Sequence, residues 1–108
     1  MRQFTTPEQT AKLIDLGFEN PKGWCAEGIS SHMHMYKRRE DDEGFNYSIG
    51  ELIEMLPPKV GGWNLSIERY WEIERWCVSY ACDRFSMTTE LIDALYNMIV
   101  KLKEEGVI

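Results

Sequence analysis

The most regular pattern of apolar and polar positions lies at the C-terminal end of the chain. Six apolar residues recur there at helical spacing: Leu91, Ile92, Leu95, Met98, Ile99 and Leu102. This spacing predicts an amphipathic helix whose opposite, charged face meets water. Thr88 or Thr89 is expected to cap the helix, and Gly106 is expected to end it.

A capping box marks the beginning of a first helix near the N-terminus. The Thr6 hydroxyl can accept from the Gln9 amide while Gln9 reaches back, and Pro7 suits the first helical position. The helix is expected to run to about Leu16. Gly17 can adopt the left-handed conformation that closes a helix in a Schellman motif.

A second capping box, Ser48 with Glu51, begins a central helix. Tyr47 and Leu52 flank the box at the positions of a hydrophobic staple. The Pro-Pro pair at 57–58 ends this helix, because proline has no N–H to donate and restricts the residue before it.

Alternation of apolar and polar residues over 63–71 and again over 76–82 predicts two strands. Both segments are rich in aromatic and β-branched residues, and the break at 72–75 has a suitable length for a hairpin loop. A single helix through this region is the alternative, because part of the pattern also fits helical spacing.

The segment from Glu19 to about Asn46 has no dominant pattern. Residues 29–36 alternate weakly and predict a short strand, and 37–44 is a charged loop. A compact domain seldom contains a structureless loop of this length, so some regular structure is expected here.

Composition agrees with one ordinary globular domain. The 108 residues are 44% hydrophobic, 28% charged and 12% aromatic, which excludes disordered, collagen-like and membrane-spanning chains. The predicted fold is α+β: a single domain, residues 1–108, with three helices packed on a two- or three-stranded antiparallel sheet.

The formal charge of −6 repels phosphate backbones and anionic lipid, so neither nucleic acid nor a membrane is an expected partner. Three cysteines, Cys25, Cys77 and Cys82, argue against a disulfide framework. Cys77 and Cys82 are expected to be small buried apolar residues. The first residues lack the apolar stretch of a secretory signal, and a cytoplasmic location is therefore expected.

The metal-ligating candidates are His32, His34 and Cys25. Two histidines at alternate positions of a strand would share a face, and Cys25 or a carboxylate from 40–43 could complete a site. Structural metal sites usually draw ligand pairs from two places in the chain, and only one pair is present. Solvated histidines are therefore favoured, no cofactor is predicted, and Cys25 is the sole candidate for a nucleophile near histidine.

Aromatic residues concentrate in the predicted hairpin: Trp63, Tyr70, Trp71, Trp76 and Tyr80. Trp71 and Trp76 share a register with Val78, which predicts that they pack in the core, whereas Tyr70 lies on the other face. Core packing is favoured for the set, and recognition of a ligand or protein is the alternative. Aromatic residues on both faces of the sheet would indicate that one face recognises a ligand or a protein.

Three blocks of the chain, residues 3–14, 47–57 and 90–108, resemble small uncharacterised proteins of Bacteroides and related gut bacteria, often encoded in prophage-like or mobile regions. The blocks contain helix caps and core positions, and the resemblance implies neither an activity nor site residues.

These features favour a non-enzymatic accessory or protein-interaction domain of a bacterial mobile element, since no coherent set of acid, base, nucleophile and metal ligands appears. One alternative is a small-molecule or metal-binding domain that uses His32, His34 and Cys25. Another is an acidic mimic of nucleic acid that occupies a DNA-binding protein. A homodimer that covers the aromatic sheet face or a strand edge is also expected, because a small sheet leaves unpaired edges.

Overall fold

The computed structural model describes residues 2–21, 24–27, 34–37, 46–81 and 84–108; for 24–27 and 34–37 it describes the strand backbone. The helices are α1 (Pro7–Asp15), α2 (Ile49–Met55) and α3 (Leu91–Glu104). The strands are β1 (Trp24–Glu27), β2 (His34–Lys37), β3 (Lys59–Val60), β4 (Trp63–Asn64), β5 (Ser66–Tyr70), β6 (Arg75–Ala81) and β7 (Arg84–Thr88). The predicted α+β class is confirmed.

Both ends of α1 are formed by the predicted local interactions. The Gln9 amide donates to the Thr6 hydroxyl at 3.1 Å, and the Thr6 amide donates to the Gln9 side chain at 3.0 Å. Gly17 has a φ of +98°, and the Phe18 amide donates to the Leu13 carbonyl at 3.2 Å. This is the Schellman closure, so the helix ends where the sequence predicts.

Helix α2 also begins with its predicted capping box. The Glu51 amide donates to the Ser48 hydroxyl at 3.1 Å, and the Ser48 amide donates to the Glu51 carboxylate at 3.3 Å. Tyr47 and Leu52 on either side are buried in the core. The helix ends at Met55, just before the Pro-Pro pair.

The apolar face of α3 is buried as predicted, but its N-cap is not a threonine. The N-cap residue is Glu90, and its side chain makes no capping hydrogen bond. Thr88 is the last residue of β7, and its hydroxyl donates to the Glu90 carbonyl instead of accepting from the helix. At the other end Gly106 has a φ of +75°, and the Val107 amide closes a second Schellman motif.

Strands β5, β6 and β7 form the main sheet, which is antiparallel and has β6 at its centre. The β5–β6 hairpin is confirmed, and the alternative of a helix through this region is wrong. Sequence reasoning did not identify β7. The first predicted strand is also shorter than expected, because Trp63–Asn64 pairs with Lys59–Val60 in a separate two-stranded sheet.

A further two-stranded sheet occupies part of the segment that had no clear pattern. β1 and β2 pair antiparallel, with Glu27 opposite His34 and Cys25 opposite Tyr36. The strand predicted over 29–36 is therefore found at its C-terminal end, whereas 29–33 and the charged residues 38–44 lie outside the described residues.

One hydrophobic cluster joins the three helices to the inner face of the main sheet. Helix α3 lies against β6, β7 and α2. Its fully buried residues are Ile92, Ala94, Leu95, Met98, Ile99 and Leu102. The Tyr80 hydroxyl donates to the Pro57 carbonyl at 2.6 Å and so ties the sheet to the segment that follows α2. In the part of the chain that the structure describes, no helix is both long and apolar enough to cross a bilayer.

Candidate functional site

The two faces of the main sheet have different surroundings. Val78 and Tyr80 point into the core that α3 covers, and both are buried. Because side chains alternate along a strand, the residues between them point to the opposite side, here called the outer face. The strand residues of the outer face are Ser66, Glu68, Tyr70, Arg75, Cys77, Ser79, Phe85 and Met87.

The outer face forms the floor of an open groove of about 590 Å³, with Trp63 at its margin. Large apolar side chains are unusually exposed here: Trp63 is 61% exposed, Phe85 53%, Tyr70 41% and Met87 41%. With about 200 Å² for a whole aromatic side chain, the three aromatic residues present roughly 300 Å² of surface. That area alone approaches the largest apolar patch of a typical monomer.

Local backbone geometry places Trp63 at this groove. Gly61 and Gly62 have φ values of +59° and +85°, which a two-residue type I′ hairpin turn requires. The turn pairs Val60 with Trp63; Val60 is buried in the core, and the larger Trp63 side chain is exposed. A residue other than glycine at either turn position would strain the backbone.

The polar side chains in the described lining of the groove are a carboxylate, the Asn64 amide, hydroxyls and a buried thiol. Cys77 lies at the groove floor, and burial and then the nearby Glu68 charge raise the pKa of its thiol. The thiol therefore stays protonated near neutral pH and is a poor nucleophile. The Ser66 hydroxyl lies 3.3 Å from the Glu68 carboxylate and donates to it. Such a groove is suited to binding through apolar contact and to accepting hydrogen bonds at Glu68.

The prediction that Trp71 packs in the core is wrong. Strand β5 ends at Tyr70, so Trp71 lies in the turn that joins β5 to β6 and is 78% exposed. Its ring stacks on the Arg69 guanidinium at 5.1 Å, and the same guanidinium lies 5.5 Å from the Trp76 ring. Trp76 is partly buried against the core as expected. This stack stabilises the hairpin end through cation–π contacts.

A second, smaller pocket of about 270 Å³ lies between the end of α1 and helix α2. Glu19, Glu51 and Glu54 line it together with Tyr47. The Tyr47 hydroxyl already donates to the Glu19 carbonyl. Burial and then the charges of Glu51 and Glu19 raise the pKa of Tyr47. The pocket is acidic, but the Tyr47 hydroxyl is already used in a hydrogen bond that stabilises the fold.

The candidate metal ligands are only partly placed. Cys25 lies in β1 and His34 in β2, at positions two residues apart in the pairing register, while His32 and the carboxylates of 40–43 lie outside the described residues. Within the described ranges, no group of three His, Cys, Asp or Glu side chains could hold a metal ion. Metal binding through His32, His34 and Cys25 stays a prediction, as does the acidic mimic of nucleic acid.

Sequence reasoning identified Trp63 and Tyr70 as residues to watch and missed Phe85 and Met87. The signal for the missed pair is the alternation over 84–88, where Phe85 and Met87 are separated by polar residues. Comparison of the chain with protein-family models, with curated proteins and with solved structures finds no match.

Proposed function

We propose that this chain is a non-enzymatic protein-interaction domain whose partner packs on the outer face of the main sheet. The observation that carries the proposal is the exposure of Tyr70, Phe85 and Met87 on one side of a sheet whose other side already packs on α3, with Trp63 of the neighbouring small sheet exposed in the same groove. An antiparallel sheet normally pairs one core face with a polar, solvated face. Here the second face also carries large exposed apolar side chains, which a partner protein could cover.

The composition of the outer face resembles the centre of a protein interface. Aromatic residues and methionine are enriched at interface cores, where they fill pockets of the partner. A standard interface buries about 800 Å² on each side. The exposed aromatic surface would therefore supply the central part of such an interface, and the surrounding polar residues its rim.

Charge indicates which kind of partner fits this face. The groove contains Glu68, and the whole chain has a formal charge of −6. A partner with apolar side chains and a nearby Lys or Arg would complement both features and associate faster at low salt. Phosphate backbones and anionic membranes would be repelled by the same charge.

The biological setting rests on the resemblance of residues 3–14, 47–57 and 90–108 to proteins of mobile regions in gut bacteria. It supports an accessory role in a bacterial mobile element, exercised inside the cell. In that role the domain would act by binding another protein, because burial keeps the Cys77 thiol protonated and the described lining of the groove offers Ser66 and Ser79 a carboxylate but no histidine as a base.

The test is capture of a partner from a Bacteroides host by tagged wild type and by two double variants. The first, Trp63→Ser with Tyr70→Ser, removes groove residues that are 61% and 41% exposed. The control, Ile73→Ser with Ile14→Ser, removes apolar residues that are 57% and 39% exposed outside the groove.

We expect wild type and the control to retain one partner protein in stoichiometric amount. The groove variant is expected to lose this partner. The same difference should then appear with the purified partner. A partner retained equally by the groove variant would overturn the assignment of the outer face, as would capture of nothing by the wild type.

A further inference from the structure

The free edge of β7 is a second feature of the main sheet that the core does not use. Within the described residues β7 pairs with β6 alone, and its other edge has no backbone partner. Unpaired strand edges bind other strands readily, and natural proteins usually protect them with charges, proline or a bulge. The charged residue of this strand, Arg84, is paired with Glu105 at 3.5 Å, and the register irregularity of the β6–β7 pairing lies between Ser79 and Ala81, so neither protects the middle of the edge. The exposed outer-face residues of this edge, Phe85 and Met87, are uncharged.

We infer that a second copy of this chain pairs with the β7 edge in an antiparallel, two-fold symmetric arrangement centred on Ser86. Only this register pairs all five residues of the strand with residues of the partner strand. It sets Phe85 of each copy opposite Met87 of the other. Because opposite residues point to the same side, these pairs form on the outer face.

The pairing is self-complementary in shape and chemistry. Cross-strand pairs between an aromatic and an apolar side chain stabilise a sheet, and a thioether sulfur makes favourable contacts with an aromatic ring. The symmetry forms this pair twice, once on each side of the axis. On the inner face Arg84 would lie opposite Thr88, which brings no like charges together.

The other edge of the sheet does not offer the same arrangement. A symmetric pairing along β5 that kept all five of its residues paired would be centred on Glu68 and would set two carboxylates directly opposite each other. Like charges at opposite positions destabilise a sheet. The backbone next to β5 is also occupied, because the Leu65 amide donates to the Pro58 carbonyl at 2.9 Å. The β7 edge is therefore favoured over the β5 edge.

The paired sheet would have six strands, with the outer faces of the two copies side by side. This inference rests on the proposed function, since it explains how two copies join their partner-binding faces into one larger surface. Trp63 and Tyr70 lie away from the shared edge, so each groove stays open. A dimer of chains with a formal charge of −6 each should tighten as salt screens their repulsion.

The test measures the mass in solution by light scattering and sedimentation at micromolar concentration. Wild type is expected at twice 12.7 kDa. Phe85→Lys with Met87→Lys sets lysine opposite lysine and is expected to weaken association at least about tenfold. Ile73→Lys is the control: its side chain is 57% exposed, but it lies in the turn after β5 and outside the groove, and this variant should stay dimeric.

A charge-swapped partner keeps the test decisive. Phe85→Glu with Met87→Glu should be monomeric alone and should form a one-to-one complex with the lysine variant, because opposite charges then face each other. Should a variant fail to fold, hydrogen exchange of wild-type amides at 84–88 replaces it, with protection that rises with protein concentration at β7 and not at β5.

A monomeric wild type, a dimer unaffected by the lysine pair, or a dimer lost equally in Ile73→Lys would each overturn the inference. None of these results depends on a partner from the host. Failure of the partner capture described above would overturn the proposed function and leave the dimer standing, so the two failures are distinguishable.

Discussion

Removal of the Tyr80 hydroxyl tests how the main sheet is held to the rest of the core. Tyr80 is 2% exposed, and its hydroxyl donates to the Pro57 carbonyl at 2.6 Å. Tyr80→Phe removes the hydroxyl, so the Pro57 carbonyl loses its hydrogen-bond donor. We expect the free energy of unfolding to fall by about 1 kcal/mol near neutral pH, the typical net value of a hydrogen bond.

The same residue makes a specific prediction about alkaline pH. Burial raises the pKa of Tyr80 from 10.0 to about 12. A raised pKa means that the unfolded chain loses this proton first, so the stability associated with the neutral hydroxyl is complete below pH 10 and is lost as pH rises toward about 12. The loss amounts to about 1.4 kcal/mol for each pH unit in that window and to about 2–3 kcal/mol in total.

Urea denaturation of wild type and Tyr80→Phe measures both effects. Near pH 8 wild type should be more stable by about 1 kcal/mol, and this advantage should vanish at about pH 11 because only wild type titrates at this position. Tyr47 and Tyr96 also have raised pKa values, but they are common to both proteins and cancel in the comparison. Stability curves that stay parallel through this range would refute the burial and bonding described for Tyr80.

Two further sets of substitutions test the packing of α3 and the N-cap of α2. Leu95 in α3 is fully buried, so Leu95→Ala should lower the free energy of unfolding, measured by urea denaturation, by about 2–5 kcal/mol. Asn97 in the same helix is exposed, and Asn97→Ala should change this free energy by less than about 0.5 kcal/mol. Equal effects of the two substitutions would contradict the packing of α3. Ser48→Ala should lower the free energy of unfolding by about 1 kcal/mol, because it removes the α2 cap. Ser48→Asp restores a hydrogen-bond acceptor and should recover most of this stability. An unchanged melting temperature in Ser48→Ala would show that the cap contributes nothing.

Local signals predicted the helix ends well where neighbouring residues alone decide them. The capping boxes at Thr6 and Ser48 and the glycine closures at Gly17 and Gly106 all depend on contacts within a few residues. The N-cap of α3 was mispredicted because Thr88 belongs to a strand, and its backbone conformation is set by pairing with β6. A threonine near a helix start is therefore no guide when a strand runs directly into the helix.

The outer face could not be distinguished from the core by alternation alone. Both faces of the β5–β6 hairpin contain aromatic residues. Alternation shows that Trp76 and Tyr70 lie on opposite faces, but it does not show which of these faces is buried. Which face α3 covers depends on tertiary packing. Trp71 was misplaced for a related reason: β5 ends one residue earlier than its alternation suggests, and Glu74 adopts a φ of +52° in the tight turn that follows.

The missed strand β7 has the largest consequence for function. Its five residues alternate, but a segment this short is compatible with several structures until β6 is available to pair with it. Pairing along its length turns Phe85 and Met87 to the same side as Tyr70 and so completes the apolar outer face. The candidate site is thus a product of tertiary assembly.

Site-specific cross-linking can show inside the cell whether the outer face binds protein. A photoreactive benzophenone amino acid in place of Trp63 would report contacts at the groove, and the same group in place of the equally exposed Ile73 is the control. After irradiation of living Bacteroides cells, we expect a discrete cross-linked protein at position 63 and none at position 73. No product at position 63, or the same products at both positions, would contradict it.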